Sequence, residues 1–109
     1  MDVPETPAAE LAPEIERGVA VVDVRRPEEW TGGRIGEAML IPMGEISDHV
    51  GELEARAGGG PLYVICRSGV RSLQVAGFLR TQGIDARNVA GGMLAWTAAG
   101  HEVETGPTR

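Results

Sequence analysis

The sequence predicts an α/β domain with a central, mostly parallel sheet flanked by helices. Three observations carry that expectation. Residues 19–24 (VAVVDV) and 62–66 (LYVIC) are near-continuous apolar runs, the pattern of strands covered on both faces. Segments of helical spacing lie between and after them, so strands and helices alternate along the chain. With 16 glycines in 109 residues and only 4% aromatics, the core is aliphatic and the connections are tight.

In chain order, residues 1–5 read as a loose lead-in. Thr6 and Pro7 read as the cap and first residue of a helix to about residue 17, which Gly18 closes. Pro13 is expected to split or kink that helix. After the strand at 19–24, Pro27-Glu28-Glu29-Trp30 reads as a short helical turn ended by Gly32-Gly33. A second short apolar run covers 38–41 and stops at Pro42. Ser47 reads as the cap of a helix to about residue 56, with a thin apolar stripe at Val50 and Leu53. Gly58-Gly59-Gly60-Pro61 breaks it and opens the strand at 62–66. In 72–83, Leu73, Ala76 and Leu79 fall on one helical face, with Val75 and Phe78 beside them. Residues 86–89 read as a short strand and 93–98 as a short helix. The length fits one domain, 1–109, with an irregular tail at 104–109.

Charge and cysteine content narrow the function. All ten basic residues are arginine, set against 16 acids, for a net charge of −6. Without lysine there is no phosphate-loop lysine and no lysine Schiff base, and an acidic chain argues against nucleic-acid or anionic-lipid partners. No apolar run approaches the roughly 18 residues that span a membrane. The acidic, proline-containing start does not resemble a secretory signal, so a cytoplasmic location is expected. Cys66 is the only cysteine, and with two distant histidines it forms no metal-ligand pattern. His49 and His101 read as surface residues without a base or metal partner nearby, and Trp30 and Trp96 as packing residues.

The chemistry concentrates in Cys66-Arg67-Ser68-Gly69-Val70-Arg71-Ser72. Here a thiol stands at the carboxyl end of a buried strand, and a helix begins a few residues on. Ligands bind at that end of open α/β sheets. Helix-start N–H groups and flanking arginines favour a thiolate and bind an anion beside it. A thiolate in an anion cradle is a nucleophile for sulfur or phosphorus chemistry. A lone cysteine ending an apolar strand is also, commonly, a small buried hydrophobe. Asp23 and Arg25, at another strand's carboxyl end, either line the pocket or form a buried pair that holds the scaffold. Gly91-Gly92 reads as a tight turn.

These segments resemble single-domain rhodanese-like sulfurtransferases. The Cys66 to Ser72 segment is similar to that family's active-site loop. Asp23-Val24-Arg25 with Pro27-Glu28-Glu29-Trp30 is similar to its early signature, and Gly91-Gly92-Met93-Leu94-Ala95-Trp96 to its C-terminal one. The resemblance runs in order over about residues 11–103. It departs at Gly33-Arg34-Ile35-Gly36-Glu37-Ala38, where the family shows a Gly-His-Ile-Pro-Gly-Ala type of turn.

The resemblance implies a small three-layer domain and a persulfide mechanism without metal or organic cofactor. Cys66 would take a sulfane sulfur from a donor such as thiosulfate and pass it to cyanide, a thiol or a protein acceptor. The N–H groups of residues 67–71 would stabilise the persulfide, Arg67 would attract the anionic donor, and Arg71 would brace the loop and add positive potential. Two other readings stand beside this one: a phosphatase or arsenate reductase on the related fold, and a non-catalytic interaction module.

Overall fold

The computed structural model describes residues 2–108, so the first residue of the expected lead-in and the last of the tail lie outside it. Five strands form one all-parallel sheet: β1 (Glu5–Pro7), β2 (Ala20–Asp23), β3 (Met39–Leu40), β4 (Leu62–Ile65) and β5 (Ala86–Ala90). Their spatial order is β1-β5-β4-β2-β3, which puts β4 at the centre. Parallel neighbours need crossovers, and these are made by α1 (Ala8–Glu16), α2 (Pro27–Trp30), a 3₁₀ helix (Met43–His49) leading into α3 (Val50–Ala57), and α4 (Val70–Thr81). A last helix, α5 (Gly92–Ala98), follows β5. No helix among the described residues is long and apolar enough to cross a membrane.

Side-chain alternation along the strands divides the core in two. Ala20, Val22, Leu62, Val64 and Ala86 face α3 and α4, packing on Leu53, Val75, Ala76 and Leu79. Val21, Tyr63, Ile65 and Val89 face the other way, onto Ala8 and Leu11 of α1 and Met93 and Trp96 of α5. Both faces of β2 and β4 are buried along their whole length, as their uninterrupted apolar runs require. Cys66 continues the parity of Leu62 and Val64, so its side chain belongs to the α4 face.

Four expectations need correction. The chain at Glu5–Pro7 is a strand, not a lead-in and helix cap: Glu5, Thr6 and Pro7 stand opposite Asn88, Val89 and Ala90. It occupies a sheet edge, where a proline without an N–H is tolerated, and the helix begins at Ala8 with no side-chain cap from Thr6. Pro13 does not divide α1, which continues to Glu16. Proline removes one bond, to the Ala9 carbonyl, while the fully buried Leu11 anchors the helix on the sheet. Ser47 caps nothing; it lies within the 3₁₀ segment, and α3 starts at Val50. Finally, α4 buries Ser72, Val75, Ala76 and Leu79, whereas Leu73 is 42% and Phe78 39% exposed. The helix is rotated from the expected face because Ser72 is held at the sulfur.

The tail is pinned by Arg34. Arg34 and Glu104 exchange backbone hydrogen bonds at 2.9 and 2.7 Å. The buried guanidinium donates to the Trp30 and Gly106 carbonyls and pairs with Glu104 at 2.9 Å. This is where the sequence departs from the family's turn, and an arginine there reaches residues some 70 positions away.

Among the glycines, Gly92 marks the tightest approach. Its φ is +54°, and a Cβ there would lie 2.4 Å from the Cys66 carbonyl oxygen and 2.5 Å from that of Arg67. Gly83 also has positive φ but faces open space. Gly83→Ala should therefore destabilise by about 1–2 kcal/mol, the left-handed penalty alone. Gly92→Ala should cost about 1–3 kcal/mol more for the clash. Denaturant unfolding of both variants checks this; equal losses would show that the loop yields freely.

Candidate active site

Cys66 follows the last residue of β4, and the chain turns through residues 66–69 into α4. Gly69 sits at φ +103°, a conformation side chains disfavour. That turn aims its N–H at Cys66 Sγ, 3.1 Å away. Ser72, one turn into α4, places Oγ 3.2 Å from the same sulfur. Burial pushes the Cys66 thiol up, but the Ser72 hydroxyl and the backbone N–H groups of Ser72, Gly69 and Ser68 pull it down further, leaving it below its ordinary value. The residue itself is only 1% exposed.

Arg71 departs from expectation in one respect, its charge. Arg71 forms a two-pronged pair with Glu29 of α2, at 2.8 and 3.0 Å. Its hydrogen bonds, opposed by some burial, hold Glu29 at about 2, and Glu29 in turn raises Arg71. The positive charge expected to stabilise the thiolate is thus matched by a carboxylate, and the donors on the sulfur are N–H groups and a hydroxyl. Arg67 is exposed, beside an open cavity of about 570 Å³ that Arg25, Glu29, Gly33, Leu94 and Val103 also line. Ser68 and Val70 are exposed on the loop, Val70 by 66%.

Asp23 and Arg25 form the buried pair. Arg25 Nη2 lies 2.8 Å from Asp23 Oδ2 and 2.8 Å from the Gly33 carbonyl, tying β2 to the turn after α2. Asp23 is fully buried, and removing either partner would leave an uncompensated charge at a cost of about 3–5 kcal/mol.

Two contributors were not visible in the sequence. The N-terminus of α5 donates Met93 N–H to the Cys66 carbonyl at 2.8 Å and Leu94 N–H to that of Arg67 at 3.0 Å. Gly91-Gly92 is therefore more than a turn, since it brings a helix end onto the loop's backbone. Asn88, 1% exposed on β5, accepts from Ser72 Oγ at 2.5 Å and donates to the Gly69 carbonyl at 3.1 Å. A polar residue in an apolar strand was its only signal. The histidines do have neighbours: His49 Nδ1 lies 2.8 Å from Glu52, and the His101 ring lies 4.6 Å from that of Trp96. Among the described residues no three His, Cys, Asp or Glu side chains cluster to hold a metal ion.

The Glu29–Arg71 pair makes a pH prediction. A carboxyl held at about 2 instead of its ordinary 4.5 contributes stability that is complete above 4.5 and lost as pH falls toward 2. Glu29→Gln should be less stable than wild type at neutral pH, by about 1 kcal/mol for a partly exposed pair. The difference should shrink as the solution is acidified through that window. A difference constant with pH in unfolding curves would show that the pair is not its source.

Comparison with known proteins agrees with this geometry. Residues 7–99 match the family described as Rhodanese-like domain. YtwF of Bacillus subtilis is 39% identical over 99 residues, covering 88% of this chain and 92% of that one. A sulfurtransferase of Allochromatium vinosum is 35% identical over 83 residues, 75% of each chain. Among solved structures, a rhodanese-like domain protein from Staphylococcus aureus superposes with TM-score 0.81 at 38% identity, covering 94% of this chain and 98% of that one. The thiosulfate sulfurtransferase of Pseudomonas aeruginosa gives TM-score 0.85 at 27% identity, over 98% of this chain and 21% of its own. A parallel sheet that ends at a cysteine loop and a family match over nearly the whole length lead to one assignment: the chain belongs to the rhodanese-like domain family.

Proposed function

We propose that this protein is a sulfurtransferase that carries a sulfane sulfur on Cys66. The observation that carries the reading is the set of donors converging on one sulfur: the Gly69 N–H at 3.1 Å and the Ser72 hydroxyl at 3.2 Å. The sulfurtransferase names among its relatives support it. In the first step the Cys66 thiolate attacks the outer sulfur of thiosulfate; an Sγ–S bond forms, the donor's S–S bond breaks, and sulfite leaves with the electron pair. In the second, a nucleophilic acceptor such as cyanide or a thiol takes the outer sulfur and returns the thiolate. Neither step needs an external oxidant or a cofactor. Arg67 at the rim is suited to drawing in the anionic donor, whereas Ser68, Gly69 and Val70 contribute backbone and shape. Arg71 braces the loop through Glu29. A reducing cytoplasm suits a catalytic thiol that has no second cysteine to pair with.

Incubation with thiosulfate should add one sulfur atom to Cys66, read by intact-protein mass, and cyanide should remove it as thiocyanate. Cys66→Ser should lower thiocyanate formation by ~10³-fold or more, the scale expected for loss of a covalent nucleophile. Wild-type turnover by the serine variant would rule out Cys66.

Phosphate esters test the competing chemistry. Four residues separate Cys66 from Arg71, and a ring that short offers few N–H groups to the three equatorial oxygens of a phosphoryl transition state. Aryl phosphate should therefore be hydrolysed poorly or not at all. A glycine inserted after Gly69 should weaken sulfur transfer and improve oxyanion binding. Robust Cys66-dependent phosphate release without thiosulfate activity would replace this reading with a phosphatase.

A further inference from the structure

The Ser72 hydroxyl has one proton and two acceptors. Oγ lies 3.2 Å from Cys66 Sγ and 2.5 Å from Asn88 Oδ1. The Asn88 amide cannot be turned round, because its Nδ2 faces Glu5 Oε2 at 2.7 Å and the Gly69 carbonyl at 3.1 Å. Both are acceptors and need a donor opposite them. Cys66, Ser72 and Asn88 are each at most 1% exposed, so bulk water does not supply a missing bond.

We infer that Asn88 is a positioning residue for Cys66, its amide oxygen competing with the sulfur for the Ser72 proton. The inference rests on the sulfur-carrier reading of Cys66. When the sulfur is a thiolate, the hydroxyl turns to Sγ and Asn88 Oδ1 loses its donor. When the sulfur is a neutral thiol, its S–H donates to Ser72 Oγ and the hydroxyl turns to Asn88. In the persulfide the negative charge moves to the outer sulfur, Sγ becomes a weak acceptor, and the hydroxyl again turns to Asn88. The proton never leaves the serine oxygen; only its direction changes. Asn88 thus favours the two states with an uncharged Sγ over the bare thiolate. A carrier that must both load and unload gains from that, because the loaded state is not left far above the empty one.

Other charges bear on the sulfur as well: Arg71 with Glu29, Arg67 on the loop, the Asp23–Arg25 pair at the end of β2, and Glu5 behind Asn88 on β1. A double-mutant cycle separates the hydroxyl from all of these. The rate of alkylation by iodoacetamide is measured against pH for wild type, Ser72→Ala, Asn88→Ala and the double variant. Ser72→Ala should raise the midpoint. Asn88→Ala should lower it by about half to one pH unit, the worth of one buried hydrogen bond. In the Ser72→Ala background the Asn88 substitution should leave the midpoint unmoved. Asn88→Leu, similar in volume and without an acceptor, carries the same expectation if the alanine variant fails to fold. A shift that persists without the Ser72 hydroxyl, or one of opposite sign, overturns the proposal and assigns Asn88 to loop bracing or to the charge of Glu5. At a fixed ratio of thiosulfate to sulfite, and at a pH above the alkylation midpoint so that the empty state is thiolate, Asn88→Ala should also lower the ratio of persulfide to thiolate about three- to tenfold. If wild type takes up no sulfur, the sulfur-carrier reading fails, while the alkylation cycle still decides the role of Asn88.

Discussion

A loop that turns its N–H groups inward onto one sulfur must turn its carbonyls outward, and each of those buried oxygens then needs a donor. Much of this fold answers that demand. The Cys66 and Arg67 carbonyls receive Met93 and Leu94 N–H from the first turn of α5, and the Gly69 carbonyl receives the Asn88 side chain. The first-turn N–H groups of a helix have no intrahelical partner, so α5 gives up nothing by donating them. The approach is close enough to exclude any Cβ at residue 92, which is why the helix opens on glycine. The bonds that satisfy the carbonyls therefore also hold the loop in the shape that aims its N–H groups at the sulfur.

The sheet makes this arrangement rigid. Parallel order puts the carboxyl ends of β2, β4 and β5 side by side, with Asp23, Cys66 and the Gly91 turn on one rim. Alternation sends Cys66 and Asn88 to the α4 face, where Ser72 stands between them. Rotation of α4 away from its apparent apolar face follows from that. Had Leu73 turned inward, as its hydrophobicity favours, Ser72 would have turned away from the sulfur. Burial of one leucine is worth about 1.5–3 kcal/mol, so the polar contacts at Ser72 and the packing of Val75, Ala76 and Leu79 together outweigh it.

The order of strands and helices was legible because both faces of β2 and β4 are buried and write continuous apolar runs. The position of Cys66 on a strand-to-helix loop was legible because a buried apolar run ends there and a glycine precedes a helical pattern. The edge strand β1 was not, since three residues, one a proline and preceded by another, carry no period and pair only with β5. The partner of Arg71 was hidden for a related reason. Glu29 lies 42 positions away and meets it only once β2 and β4 are paired. Asn88 bears on the sulfur through a hydroxyl on another element, a contact that local spacing does not encode. Arg34 stands out as a departure from the family's turn, but its role depends on a tail some 70 residues on.

Charge around the thiol is nearly balanced by pairs: Asp23 with Arg25, Glu29 with Arg71. What remains at the sulfur is the field of fixed dipoles, three backbone N–H groups and one hydroxyl. The N–H groups are held by covalent geometry and need little reorganisation when charge appears, so they stabilise the anion without holding a mobile counter-charge in the pocket. A free guanidinium against Sγ would favour the thiolate more strongly, but it would also bind any anionic leaving group and hold the thiolate against the next attack. On the proposed reading, pairing Arg71 with Glu29 and leaving Arg67 at the rim would separate attraction of the donor from stabilisation of the nucleophile. On the proposed sulfur-carrier reading, the sulfur would then gain and lose its partner atom with only the Ser72 hydroxyl turning beside it.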